Sequence, residues 1–127
     1  MNYLLDTHIC LWYFENSERL STKARELFKD SANIYYSPIT VLEIAIKNNF
    51  KPASLKCNAK QFCEFAHKSN LMPLPLKEAH ISNLTFMKRN RDPFDNALLA
   101  QARAENLLLV THDKAIIDEE DKNVLAV

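Results

Sequence analysis

The sequence predicts an α/β protein in which a short parallel sheet of four to five strands is covered by helices on both faces. Three observations point to that class. Short apolar runs alternate along the chain with longer stretches whose apolar residues recur at spacings of three and four. The apolar runs are strand-sized and lack the polar alternation of a sheet with one wet face, so both faces are expected to be covered. Acidic residues follow directly on two of these runs, Asp6 after Leu4-Leu5 and Asp113 after Leu109-Val110-Thr111-His112. In parallel sheets the ligand crevice lies beyond the carboxyl ends of the strands, which is where such residues would stand.

Taken in order, Asn2 to Leu5 is a strand, followed by a helix with Ile9, Trp12 and Tyr13 on one side. Ser21 caps a second helix to about Lys29, with Ala24, Leu27 and Phe28 inward. Asn33 to Tyr36 is a strand, and Ser37-Pro38 opens a helix to about Asn48, with proline in its first turn. Lys51-Pro52-Ala53-Ser54 is a loop, residues 58–69 a helix with Phe62, Phe65 and Ala66 on one face, and Leu71 to Leu74 a short strand delimited by Pro73 and Pro75. Further helices are expected over about 77–87 and from Asp95 to Glu105, with strands at Leu107 to Val110 and Val124 to Val127.

At 127 residues and 14.7 kDa, with 47% hydrophobic residues, residues 1–127 are expected to form one domain. The first segment is far shorter than the 18 or so apolar residues of a membrane span and has no basic leader, so a cytoplasmic protein without membrane association is expected. Cys10, Cys57 and Cys63 are odd in number and lack paired metal-ligand spacing, which argues against a disulfide framework and a zinc ribbon. The chain has no glycine, which excludes the phosphate-cradling loops of the common ATP and dinucleotide folds. Sixteen basic and sixteen acidic residues cancel, so any nucleic-acid contact must be local. Lys47, Lys51, Lys56, Lys60 and Lys68 make the middle basic, and Lys88, Arg89 and Arg91 beside Asp92 would suit a phosphate backbone as secondary contacts, although such runs also serve as solvated faces.

Four carboxylates, Asp6, Glu43, Asp95 and Asp113, follow or interrupt apolar segments, and packing those segments together draws the acids together. Gathered carboxylates repel unless they share a proton or bind a cation, and Mg²⁺ or Mn²⁺ takes oxygen ligands. Ile39, Leu42, Glu43 and Ile46 share a helical stripe, so Glu43 is expected on or beside the face toward the sheet, either bound to metal or paired with a lysine. Asp92 before Pro93 is read mainly as a helix cap, and Asp95, in register with Leu98, Leu99 and Ala102, mainly as a ligand. Asp6 and Asp113 can also be caps, and Thr111 can orient a carboxylate or a bound water. His8 and His112 are read as peripheral, and Trp12, Tyr13 and Phe14 as core or interface residues.

These segments, in this order and spacing, resemble the PIN-domain family, and within it the VapC-like toxins of bacterial toxin–antitoxin pairs. The resemblance rests on Leu4-Leu5-Asp6-Thr7-His8, Trp12, Leu42 to Lys47, Arg91-Asp92-Pro93-Phe94-Asp95, Leu98 to Ala102, and Leu109 to Asp113. It implies a three-layer α/β/α fold, a Mg²⁺- or Mn²⁺-dependent endoribonuclease, and a metal and catalytic site at Asp6, Glu43, Asp95 and Asp113. It further implies RNA as substrate, a homodimer and a cognate antitoxin. Relatives often carry glycine where this chain has Asn48-Asn49-Phe50 and Asn106, and a basic residue where it has Asn96. The competing reading is a catalytically silent PIN-fold interaction module whose acids act as caps and ion pairs. An aspartyl phosphotransferase of the haloacid-dehalogenase type would need an Asp two residues after Asp6, where His8 stands.

Overall fold

A computed structural model describes residues 2–30 and 33–127. Five strands form one parallel sheet: β1 (Tyr3–Leu5), β2 (Ile34–Tyr36), β3 (Met72–Pro73), β4 (Leu108–Thr111) and β5 (Val124–Ala126), in the order β3-β2-β1-β4-β5. The helices are α1 (Thr7–Glu15), α2 (Thr22–Asp30), α3 (Pro38–Phe50), α4 (Ala59–Lys68), α5 (Glu78–Ser82), α6 (Pro93–Ala104) and α7 (Lys114–Ile117).

Strand periodicity explains the layers. Successive side chains point to opposite faces, so Leu4 and Leu109 enter one core while Leu5 and Val110 enter the other. The first core also receives Leu98, Leu99 and Ala102 from α6 and Ile116 from α7; the second receives Ile9 and Cys10 from α1, Ala24 from α2, and Phe62 and Ala66 from α4. The expected α/β/α sandwich is therefore present. Because the chain builds outward from β1 to β3 and then returns to place β4 on the other side of β1, winding reverses between β1 and β4. At that reversal the carboxyl ends of neighbouring strands open a crevice.

Two expectations need correction. The helix expected over 77–87 stops at Ser82, because the following loop uses its backbone groups elsewhere. Asn96, buried in α6, accepts from the Met87 amide at 2.7 Å and donates to the carbonyls of Asn90 (2.9 Å) and Asp92 (2.7 Å). The stripe expected on α3 also divides. Ile39, Thr40, Glu43 and Ile44 are buried, whereas Leu42, Ile46 and Phe50, at i, i+4 and i+8, form an exposed apolar row.

The lack of glycine is met with asparagine. Of four described residues with positive φ, three are asparagines, Asn16, Asn70 and Asn106 at 50°, 60° and 55°, a conformation asparagine tolerates well, and the fourth is Glu120 at 54°. At Asn48-Asn49-Phe50 the chain stays helical, so no such conformation is required there.

Candidate metal and nucleic-acid site

The crevice between β1 and β4 is closed by a side-chain bond linking residues 105 apart: the Thr111 hydroxyl donates to Asp6 Oδ2 at 2.5 Å. Asp6 is buried as the N-cap of α1, its Oδ1 accepting from the amides of His8 (2.7 Å) and Ile9 (3.4 Å). One oxygen thus serves the helix and the other faces the crevice. Burial nevertheless raises the Asp6 pKa above its usual value, although the Thr111 hydroxyl and the two amides oppose the shift.

Thr111 also accepts from the Asp113 amide at 3.0 Å, so one buried hydroxyl fixes both the Asp6 carboxylate and the turn that bears Asp113. Asp113 caps α7 through Oδ1, which accepts from the Ala115 amide at 2.9 Å. The expected caps are real. An oxygen of Asp113 remains outside the capping bond, so capping and site membership do not compete for the same atom.

Asp95 occupies the first turn of α6 behind the Asp92 cap, whose Oδ1 accepts from the amides of Phe94 and Asp95 at 2.8 and 3.1 Å. Asn90 donates to Asp95 Oδ2 at 3.0 Å. The Asp95 pKa is raised from 3.8 to about 6, first by burial and then by the charges of Asp92, Asp6 and Asp113, against the opposing Asn90 bond. Asp6, Asp95 and Asp113, far apart in sequence, therefore lie within electrostatic reach of one another.

Glu43 approaches from α3. Thr7, next to Asp6, shares a hydroxyl hydrogen bond of 3.0 Å with Thr40, one helical turn before Glu43. Buried Cys10 is within electrostatic reach of both acids: burial pushes its thiol pKa well up, and Asp6 and Glu43 push it further. Glu43 Oε2 pairs with Lys47 Nζ at 3.1 Å, the lysine pairing that competed with metal binding in the sequence. Its other oxygen, Oε1, is buried with no hydrogen-bond partner.

Among the described residues, no group of three or more His, Cys, Asp or Glu side chains is arranged to hold a metal ion. The donor chemistry nonetheless suits a hard cation. Glu43 Oε1 is a buried anionic oxygen without a partner, and Asp95 is opposed by neighbouring charge. Lys47 is the cation that Glu43 holds instead. Replacing Lys47 by Met should therefore lower the melting temperature in chelator but enlarge the rise produced by Mn²⁺, because a ligand selective for the folded state stabilises it. Thermal melts with and without Mn²⁺ check this; an equal fall in both would show that Lys47 does not compete with metal.

The cations singled out in the sequence separate. Arg91 folds back, donating to the Met87 carbonyl at 3.1 Å with its guanidinium 4.8 Å from the Phe86 ring centre. Lys88 and Arg89 are exposed and line a cavity of about 600 Å³ with Lys114, Asp118 and Glu119, and the Arg89 amide donates to Glu119. Sequence reasoning missed Asn90 and Thr40. Neither belongs to a chemical motif, and an asparagine in a charged loop gives no sign that it will hold a carboxylate. Asn96, where a basic residue was noted in relatives, is a buried clasp for the loop that contains Asn90.

A family model described as PIN domain matches residues 3–121. No curated protein matches. Among solved structures, 14 chains match. One is in the crystal structure of VapBC2 from Rickettsia felis bound to a DNA fragment from their promoter, with a TM-score of 0.64 and 18% identity over 100% of this chain and 98% of that one.

Proposed function

Since the chain belongs to the PIN-domain family, we propose that it is a divalent-metal-dependent endoribonuclease, the toxin of a bacterial toxin–antitoxin pair, acting in the cytoplasm as one domain. The observation that carries this reading is the buried Glu43 oxygen left without a partner, close to the switch between β1 and β4 where Asp6 and Asp113 follow the strand ends and both charges reach Asp95. A silent module has no use for a buried anionic oxygen without a partner, since caps and ion pairs satisfy the oxygens they employ.

Asp6 and Asp95 would hold Mg²⁺ or Mn²⁺ most directly, with Glu43 and Asp113 completing the oxygen set. The ion would supply charge stabilisation at the phosphate and a water of lowered pKa. Thr111 would keep Asp6 oriented, and Asn90 would hold Asp95 through one oxygen while leaving the other available. Lys88 and Arg89 would make peripheral phosphate contacts; Arg91 and Asp92 would mainly hold the loop and the helix start.

The likeness to a VapBC2 complex supports an antitoxin partner, and the exposed row of Leu42, Ile46 and Phe50 is apolar surface that such a partner would cover. A homodimer is part of the same proposal. No described helix is long and apolar enough to cross a membrane.

The test is incubation of total tRNA and ribosomal RNA with the antitoxin-free chain and Mn²⁺ or Mg²⁺, with a chelator control. Discrete fragments that vanish with chelator are expected. No cleavage by a folded chain whose melting temperature also ignores Mn²⁺ would favour the silent module.

A further inference from the structure

A groove of about 340 Å³ runs between α1 and the segment that leaves α3, lined by His8, Trp12, Glu15, Arg19, Lys47 and Lys51 among others. It meets the acidic crevice on both sides. His8 donates its amide to Asp6, and Lys47 holds Glu43. With Lys47 paired to Glu43, two further cations, Arg19 and Lys51, stand against Glu15. Among the described residues, Arg19 and Lys51 form no ion pair, so their charges are not answered within the fold. Trp12 is half-buried against the core while lining the groove, and the exposed rings of His8 and His112 lie 6.1 and 5.7 Å from its own.

An aromatic ring that lines a groove together with cations suits an unpaired nucleotide, because every base has a face to stack and its phosphates need local positive charge. A paired base keeps its faces within the duplex and could not reach Trp12. We propose that this groove receives the single-stranded RNA flanking the scissile bond, one base stacking on Trp12 and adjacent phosphates meeting Arg19 and Lys51. The assignment rests on the nuclease reading, and it moves the main substrate contacts away from the cationic group at 88–91.

Trp12 is the only tryptophan, so intrinsic fluorescence reports on this groove. The experiment titrates a dye-labelled single-stranded RNA oligonucleotide into the Asp6→Asn chain, following both dye anisotropy and tryptophan emission. Expected results are quenching that tracks binding and a loss of affinity on the order of tenfold for Arg19→Glu and for Lys51→Glu. Each change should also reduce the salt dependence, with log affinity against log salt flattening by roughly 0.7. Lys60→Glu, an equal charge change on exposed α4 outside the groove, should have little effect.

Trp12→Leu should weaken binding on the order of tenfold, and the two surface charge variants decide the matter should that chain fold poorly. RNA binding with unchanged tryptophan emission and no response to Arg19→Glu or Lys51→Glu would overturn the groove, while metal-dependent cleavage by the unaltered chain would leave the nuclease reading intact. No binding in either signal, together with no cleavage, would overturn both.

Discussion

Replacing Asp6 or Asp95 by Asn should lower RNA cleavage on the order of a thousandfold and leave the metal-free protein as stable as before, or more so. The activity loss follows from removing an anionic ligand. The stability result follows from the direction of the pKa shifts. Both carboxyls are raised, chiefly by burial, so the fold opposes their ionisation. For a carboxyl raised in this way, the stabilising contribution is complete below the unfolded pKa and is lost as pH rises through the folded value. For Asp95 the window runs from 3.8 to about 6, and at pH 7 its charge works against folding. Allowing for solvent screening of this half-buried group, relief of about 1 kcal/mol is expected in Asp95→Asn. Melts in chelator across pH 3 to about 8 check the sign: the natural chain should lose stability relative to Asp95→Asn between about pH 4 and 6. Preserved cleavage in either variant would remove that residue from the proposed metal set.

Thr111→Val should lower the melting temperature by roughly 5–10 °C, corresponding to about 2 kcal/mol, and reduce cleavage strongly. The substitution keeps the shape of a strand residue but deletes the hydroxyl that donates to Asp6 and accepts from the Asp113 amide. Asp6 Oδ2 is then left buried without this donor, and the desolvation of an unmatched carboxylate outweighs the small gain from an added methyl. A double-mutant cycle with Asp6→Asn separates this cause from altered packing. If Thr111→Val is equally harmful in both backgrounds, its hydroxyl is not acting through the Asp6 carboxylate.

Most of this architecture was legible because its determinants are local. Strand-sized apolar runs, Asp92 before Pro93, and the Leu98, Leu99 and Ala102 face of α6 place their elements within a residue or two. Asn106 before β4 was readable as a left-handed residue for the same reason. What remained hidden depends on partners distant in sequence. The rotation of α3 that exposes Leu42 and Ile46 is set by contacts on either side of the sheet edge, since Ile39 packs into one core and Ile44 into the other. After the early end of α5, the loop at Met87 and Asn90 is held by Asn96 from another element. The acids were legible as positions, and pairing of Glu43 with a lysine was expected, whereas Thr40 and Asn90 became visible only through their bonds.

The bond between Asp6 and Thr111 has a consequence for biosynthesis. Asp6 is translated early, but its partner follows 105 residues later, about 5–20 s of elongation at ordinary rates. Throughout that interval β1 lacks β4 beside it, and the crevice has only one wall. Asp113 and the Thr111 hydroxyl therefore cannot join Asp6 until the later strand has left the ribosome. A partner that recognises the earlier-made surface of α3 can bind while the crevice is still incomplete.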